Sequence, residues 1–445
     1  MDRAILHSDM NCFYAAVEML HHPEHDGKPL AVGGDPEARH GIILTANYIA
    51  KRCGVKVGMA LWQAKQVCPG LVIVHPRMDL YLRFSRLAQQ IYSEYTDLLE
   101  PFGIDESWLD VSASVSAKGD PLSIAEEISR KIKYELGLTV SVGVSWNKIY
   151  SKFGSDYKKP DAITEINRDN YRNIVWNAPV SDLLYVGRAN TKKLKTLGFR
   201  TIGDVARCDP ELLRMQFGKI GLILWVFARG EDTTPVAALD YEAPIKSIGN
   251  STTTPRDLVD ENDVRMVVYL LSESVAARLR ENHFVGRNVG IYVRDNGLFS
   301  FGRQKQIQIP TNISDEIAGY AMELFREHYR WEAPIRSLGI RVSDLKPDTF
   351  CYQLDLFTDE KKREKQLKAD LAVNELRRRF GHDSVLRCRM YYDRVLAGLD
   401  AKAEEHMIHP HGFFEKGNKV ELNHVRTDRI YGKTVSQAGP NAMLA

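Results

Sequence analysis

The order of predicted elements between residues 246 and 343 restricts the fold of the chain's second half more than any other feature. Hydrophobic periodicity predicts a strand near 246–252, a helix near 263–282, strands near 287–294 and 298–308, a helix near 314–330 and a strand near 335–343. This β-α-β-β-α-β order is that of a split β-α-β unit. We therefore expect a separate α+β domain here, reached through a linker that contains Pro235 and Pro244.

Charges in this second half are sorted by element. The predicted strands carry Arg294, Arg303 and Arg341, whereas the second helix carries mainly acidic residues. If both helices cover one face of the sheet, the other face is open, and a basic open face suits a phosphate backbone. Basic residues are also concentrated in 183–203 and 361–394. Each such segment, taken alone, is also consistent with an ordinary solvated face.

The first half of the chain predicts an α/β unit. A short strand ends at Asp9, and apolar residues at helical spacing follow from residue 80 and again from residue 124. In the segment 139–146, apolar residues alternate strictly with small residues. The alternation predicts a half-buried strand. Since 445 residues are too many for one core, several domains are expected.

Cysteine spacing and hydropathy indicate the compartment. The six cysteines lack CxxC spacing, no N-terminal signal is visible, and no stretch has the length of a membrane span. A reduced cytoplasmic protein without a membrane partner is the simplest interpretation.

Two adjacent carboxylates in "FGIDESWLD" raise a chemical question. In a regular strand Asp105 and Glu106 would point to opposite faces, and one charge would be buried at a cost of several kcal/mol. One interpretation is a tight turn with two solvated acids. The other is a strand end at which both carboxylates, joined by Asp9, hold divalent cations such as Mg²⁺. Three carboxylates can hold two ions about 4 Å apart for phosphoryl transfer.

Several motifs resemble those of the Y-family DNA polymerases, the DinB/UmuC type, in one collinear order over about 1–350. The matching segments are "DMNCFYAAVE", "TANYIAKRCGVKVGM", "IDESWLDV", "VGVSWNKIYSKFGSDYKKPDAI" and "PVSDLLYVGRANTKKLKTLGFRTIGDV". The resemblance implies a multidomain α/β and α+β fold with a mixed-sheet palm, small fingers, a helical thumb with a helix-hairpin-helix, and a split β-α-β little finger. The implied divisions are palm 1–10 and 78–166, fingers 11–77, thumb 167–231, linker 232–245, little finger 246–350 and tail 351–445.

The same resemblance implies roles for individual residues. Asp9, Asp105 and Glu106 would be catalytic and would hold two Mg²⁺ ions, with the Met10 carbonyl as a further ligand. Tyr14 would exclude a 2′-hydroxyl, although an aromatic residue on a helix is by itself more often core. The implied nucleotide-binding residues are Phe13, Tyr14, Tyr48, Lys51, Arg52 and Lys159. The implied DNA-binding residues are Gly187, Asn190, Lys192 and Lys193, to which the basic sheet face described above adds Arg294, Arg303 and Arg341.

Three positions depart from the family pattern. Asn11 stands where many relatives carry an aspartate, but no metal role is assigned to that position. Lys51 stands where arginine is usual, which keeps the charge and loses the bidentate fork. Tyr185 replaces a glycine of the hairpin, which weakens the expected phosphate contact, although Asn190 can cap the following helix.

The segment "QLDLF" follows the little finger. Gln353, Leu354, Leu356 and Phe357 resemble the sliding-clamp-binding peptide of bacterial polymerases, while an edge strand is the alternative. The histidines of "HMIHPHGFF" lack a cysteine or carboxylate cluster, so a disordered or locally packed tail is expected there rather than a metal site.

Taken together, the sequence predicts a monomeric translesion DNA polymerase that adds deoxynucleoside triphosphates to primer-template DNA, without proofreading, and that binds a sliding clamp. A catalytically silent DNA-binding paralogue and another two-metal nucleotidyltransferase or cyclase are the alternatives. The lesions bypassed, the error spectrum and the need for accessory subunits are not indicated by the sequence.

Overall fold

The computed structural model describes residues 2–34, 41–241, 243–353 and 358–399. They form two compact units, the first with residues 2–32 and 43–241, the second with 243–399 and the described parts of 33–42. No helix in these ranges is both long and apolar enough to cross a bilayer.

Elements before residue 241 form two sheets and a group of short helices. The strands are β1 (Ile5–Met10), β2 (Leu30–Gly33), β3 (Ile43–Ala46), β4 (Val72–Val74), β5 (Leu99–Pro101), β6 (Glu106–Asp110), β7 (Val140–Ser145) and β8 (Ile163–Glu165). The helices are α1 (Phe13–His21), α2 (Tyr48–Arg52), α3 (Leu61–Val67), α4 (Met78–Ser93), α5 (Val115–Lys118), α6 (Pro121–Lys131) with a π-helical turn at Ile132–Leu136, α7 (Lys148–Tyr157), α8 (Tyr171–Ile174), α9 (Arg188–Thr196), α10 (Ile202–Arg207), α11 (Pro210–Phe217) and α12 (Lys219–Arg229).

The central sheet has the strand order β5-β6-β1-β7-β8. β7 and β8 are parallel, whereas the other neighbouring strands are antiparallel, so the predicted mixed sheet is confirmed. A smaller sheet, β3-β2-β4, packs with α2 and α3 around its own apolar core. The helices from α9 to α12 share a third core.

The prediction of a half-buried strand at 139–146 is wrong, because every residue of β7 is buried. Its small-residue face, which includes Gly143, lies under α7. A Cβ at Gly143 would come within 1.9 Å of the Ser151 carbonyl oxygen. The alternation therefore marks two packed faces, one apolar and one made of small residues that admit a helix.

The second unit contains the predicted split β-α-β fold. Its elements are β9 (Ser247–Leu258), α13 (Glu261–Glu281), β10 (Phe284–Asp295), β11 (Ser300–Thr311), α14 (Ser314–His328) and β12 (Ile335–Pro347). They form an antiparallel sheet of order β11-β10-β12-β9. Both helices share one core with the sheet.

Residues after 350 continue the fold of the second unit, which the sequence did not predict. α15 (Glu360–Phe380) and a short α16 (Arg394–Ala397) follow the sheet. Met390, Leu396 and Ala397 are buried in the core that α13 and α14 form with the sheet. Residues 358–399 are thus part of this domain.

Candidate active site

Antiparallel pairing brings the predicted acidic residues to one end of the central sheet. Asp9 lies directly opposite Glu106 across β1 and β6, and opposed residues share a face of the sheet. The Met10 amide donates to the Asp105 carbonyl, which lies just before β6 begins. A Cβ at Gly103 would lie within 4 Å of both Asp105 Oδ1 and Glu106 Oε1, so both carboxylates flank this turn.

Two lysines bind these carboxylates. Lys159 Nζ lies 2.6 Å from Asp9 Oδ2, and Lys152 Nζ lies 2.6 Å from Glu106 Oε2. Asp156 contacts both ammonium groups. Both lysines belong to the segment "VGVSWNKIYSKFGSDYKKPDAI", in which Lys159 was predicted as a site residue and Lys152 was not.

Burial perturbs the ionisation of the acidic residues. Burial, and then the charge of Asp9, raises the pKa of Asp105 to about 6. Burial also raises the pKa of Glu106 to about 7, against the opposing effect of Lys152. Burial lowers the pKa of His7, whose Nε2 lies 3.6 Å from Glu106, so this histidine is neutral. Desolvated carboxylates of like charge either take up a proton or pair with a cation.

This donor set fits a divalent ion such as Mg²⁺, which prefers carboxylate and carbonyl oxygens. In the described part of the chain, however, the three carboxylates do not bring one oxygen each within 4.8 Å of the others. Lys152 and Lys159 supply positive charge to Glu106 and Asp9 in this structure.

The aromatic residues of α1 lie beside the acidic residues. The Tyr14 ring stacks on Tyr81, with centroids 4.3 Å apart and an interplanar angle of 11°. Burial, and then the charge of Asp105, raises the pKa of Tyr14 to about 12, so its hydroxyl stays protonated. The Tyr81 hydroxyl donates to the buried Glu18 at 2.6 Å. Phe13 is buried at the start of the same helix.

Tyr48 begins α2, whose N-cap is Asn47, and Lys51 lies in the last turn of this helix. Lys51 Nζ lies 4.6 Å from the Tyr48 ring centroid, and the Tyr48 hydroxyl donates to Asn11. Arg52 is exposed.

The amide of Asn11 explains the departure from aspartate at that position. Its side-chain oxygen accepts hydrogen bonds from Ser141 and Tyr48, and its nitrogen donates to Thr139. An aspartate would have no nitrogen with which to donate to Thr139.

The helix N-terminus that was predicted to bind a phosphate is that of α9, and Asn190 does not cap it. Gly187 is the N-cap residue, and Asn190 Nδ2 donates back to the Tyr185 carbonyl. Lys193 is directed toward α11, where its Nζ lies 4.6 Å from the Phe217 ring centroid. Lys192 is exposed. The open groove at this helix end, about 820 Å³, is lined by Gly187, Arg188, Thr191, Lys192 and Lys195, among others.

Register separates the three arginines of the second unit. Arg341 lies opposite Gly290, and Arg294 lies opposite Ser337, both away from the core. Arg303 lies opposite the core residue Ile291, and therefore on the helix side of the sheet, where it is exposed on the edge strand β11. The expectation that all three share the open face is wrong for Arg303. Of the "QLDLF" motif, Gln353 is exposed, and Leu354, Leu356 and Phe357 lie outside the described residues.

The chain combines a mixed sheet that carries three carboxylates at one end, a helical region with an exposed basic helix end, and a second sheet with a polar open face. This combination is typical of a palm-type nucleotidyltransferase. Three family models match the chain. The model of the impB/mucB/samB family matches residues 8–156, and the model of that family's C-terminal domain matches residues 245–356. A model described as the DNA polymerase-iota thumb domain matches residues 181–232.

Curated relatives agree with these family models. A DNA polymerase IV of Acetivibrio thermocellus is 51% identical over 396 residues, 89% of this chain and 99% of the relative. A DNA polymerase IV of Pelotomaculum thermopropionicum is 37% identical over 383 residues, 86% of this chain and 94% of that protein. The chain belongs to the Y-family DNA polymerases of the DinB type.

A solved structure shows the same fold. A chimeric Y-family DNA polymerase superimposes with a TM-score of 0.67 at 24% identity, covering 77% of this chain and 99% of its own. The predicted multidomain α/β and α+β fold is thereby confirmed. The relatives do not favour the silent paralogue or the cyclase.

Proposed function

We propose that this chain is a template-directed DNA polymerase of the translesion type, which adds deoxynucleotides to a primer 3′ end. The observation that carries the proposal is the pairing of Asp9 with Glu106, with Asp105 adjacent and Tyr14 beside them. This arrangement juxtaposes a cation site with an aromatic wall that can contact a sugar. The palm, fingers, thumb, linker and little-finger divisions given above remain part of the prediction.

Divalent cations, which we expect to be two Mg²⁺ ions, would be held by Asp9, Asp105, Glu106 and the Met10 carbonyl. When bound, they supply Lewis acidity toward the primer hydroxyl and the triphosphate. Lys152 and Lys159 already neutralise carboxylate charge there. Lys159, which pairs with Asp9 in this structure, would be available to the triphosphate in the presence of bound cations.

The fingers residues bind the rest of the nucleotide. Tyr48 and Lys51 form a contiguous hydroxyl and ammonium surface for phosphate oxygens, and exposed Arg52 adjoins it. The flat ring of Tyr14, held by Tyr81, excludes a 2′-hydroxyl by contact.

DNA is bound through backbone contacts. The amides and lysines at the start of α9 suit a phosphate, because a helix N-terminus presents unpaired N–H groups and partial positive charge. Arg294 and Arg341 supply charge to the open face of the second unit. Binding as a monomer to a sliding clamp through Gln353, Leu354, Leu356 and Phe357, and action in the cytoplasm, remain predictions.

Primer extension by an isosteric variant tests the proposal. Asp105→Asn keeps the side-chain shape and removes the charge, so nucleotide addition should fall by roughly 100-fold or more. Asp110→Asn, at the far end of β6, is the matched control and should extend primers normally. Primer-template affinity, measured by fluorescence anisotropy, should be unchanged in both. Normal extension by Asp105→Asn would refute the assignment.

A further inference from the structure

A turn after α1 gathers two histidines and a glutamate outside the acidic site. His22, Glu24 and His25 bring one ligand atom each within 4.8 Å of one another, the one such group among the residues that the structure describes. His22 is the C-cap residue of α1, and the 3₁₀ turn Pro23–His25 follows directly. Pro23 fixes the backbone between the ligands, because its ring restricts φ.

Distances in this group are close to those of a transition-metal site. His22 Nδ1 lies 3.1 Å from Glu24 Oε1, and His25 Nε2 lies 4.0 Å from the same oxygen. Ligands about 2.0–2.1 Å from a tetrahedral zinc ion lie roughly 3.4 Å apart, so small side-chain rotations suffice. The two imidazole rings face each other, with centroids 5.8 Å apart and an interplanar angle of 29°.

A buried carboxylate stands behind one of these histidines. Glu18 Oε2 lies 3.7 Å from His22 Nε2, on the side of the ring away from Glu24. The Glu18 side chain is only 1% exposed, and hydrogen bonds donated by Arg77 and Tyr81 fix its position. Histidines that bind a metal through one nitrogen commonly donate the other N–H to a carboxylate, which orients the ring. His25 Nδ1 is also buried, without a hydrogen-bond partner in the described structure.

We propose that His22 Nδ1, Glu24 Oε1 and His25 Nε2 form a binding site for a divalent transition metal of the zinc type, with Glu18 orienting His22. Three protein ligands leave a fourth position for water. Imidazole nitrogen selects such ions over Mg²⁺ and Ca²⁺, which prefer oxygen, so the site is chemically distinct from the acidic cluster.

A metal ion bound at this site would stabilise α1. A bound ion would join the last turn of this helix to the following 3₁₀ turn. Glu18, which orients His22, also accepts from Tyr81, and Tyr81 stacks on Tyr14. The metal would therefore stabilise the helix that carries Phe13 and Tyr14 at its other end.

Calorimetric titration of the full chain with Zn²⁺, in a thiol-free reductant and millimolar Mg²⁺, tests the proposal. The unaltered chain should bind one Zn²⁺ at this site. His22→Ala with His25→Ala should weaken binding by more than about 100-fold. Glu24→Gln, at an exposed position, should also weaken binding without a risk to folding.

Controls exclude other ligands. His21→Ala removes the neighbouring histidine, whose ring lies against Phe84, and should bind Zn²⁺ normally. Replacing His406, His409 and His411 by alanine, outside the described residues, should leave the site intact. Co²⁺ should show no thiolate charge-transfer band. Undiminished binding by the double variant, loss of binding in the tail variant, a thiolate band, or no binding by the unaltered chain would each overturn the proposal.

Discussion

At the residue scale, the proposed recognition of the sugar depends on the stacking of Tyr14 on Tyr81. Tyr81 cannot turn freely, because its hydroxyl is bound to Glu18, and Glu18 is held by Arg77. The ring of Tyr14 therefore rests on a rigid support and not on a mobile side chain. Steric exclusion of a 2′-hydroxyl requires such rigidity, because a mobile ring could move aside and admit the hydroxyl.

We predict that Tyr14→Ala raises ribonucleotide use relative to deoxynucleotide use by roughly 10- to 200-fold, the range expected when one group of a binding pocket changes. Tyr14→Phe, which retains the ring, should discriminate as the unaltered enzyme does. Single-nucleotide insertion with both sugars measures the ratio. An unchanged ratio for Tyr14→Ala would assign Tyr14 to core packing alone.

At the element scale, strand register controls which charges face outward. Arg294 and Arg341 lie on the open side of the sheet of β9 to β12, together with small residues such as Gly290 and Gly339. Arg303, although on the same sheet, lies on the helix side, where it is exposed. The three arginines therefore supply a matched comparison within one domain.

Replacing Arg294 and Arg341 by alanine should weaken DNA binding and reduce the slope of log affinity against log salt by about 2, because each neutralised phosphate contributes about 0.9. Arg303→Ala should leave that slope unchanged. Anisotropy titrations at several salt concentrations give the slopes. Equal slopes for the double variant and Arg303→Ala would refute the role of the open face.

Helix α15 is attached to the second unit by ion pairs more than by apolar contact. Asp370 accepts from the Ser314 amide at the start of α14 and pairs with Arg280, whose side chain is only 7% exposed. Arg377 pairs with Glu273 on α13 at 2.8 Å. Asp370 thus caps one helix while it holds another.

Asp370→Ala should detach α15, because it removes the cap and leaves Arg280 buried without this partner, at a cost of about 3–5 kcal/mol. Hydrogen exchange of residues 362–380 should accelerate. Glu364→Ala, on the exposed face of the same helix, should not change the exchange. Protection that survives in Asp370→Ala would show that the remaining ion pairs suffice.

At the scale of the whole molecule, the proposed clamp-binding segment lies between β12 and α15. Both neighbours are anchored in the second unit, and Arg363, near the start of α15, binds Glu316 on α14 at 2.7 Å. The segment is therefore a connection between two anchored elements and not a free terminus.

We predict that Leu356→Ala with Phe357→Ala weakens clamp binding by roughly tenfold to a thousandfold, since each apolar side chain contributes about 1.5–3 kcal/mol and ordering of the peptide offsets part of it. Extension of short primers without clamp should be unaffected. The loaded clamp should stimulate the unaltered enzyme and not the double variant. Equal stimulation of both would leave the segment without this role.

The sequence by itself determined the order of the elements, the β-α-β-β-α-β unit and the candidate acidic residues. Periodicity and local motifs suffice for these, because they depend on neighbours along the chain. Tertiary structure decided which surfaces those elements bury. The polar face of β7 is covered because α7 packs on Gly143. Arg303 lies on the helix side of its sheet because it is paired with Ile291. Lys152 contacts Glu106 because α7 crosses the sheet there. Lys152 and Glu106 are 46 residues apart in the chain. The other two contacts depend on how whole elements pack and pair, so no local pattern encodes any of the three.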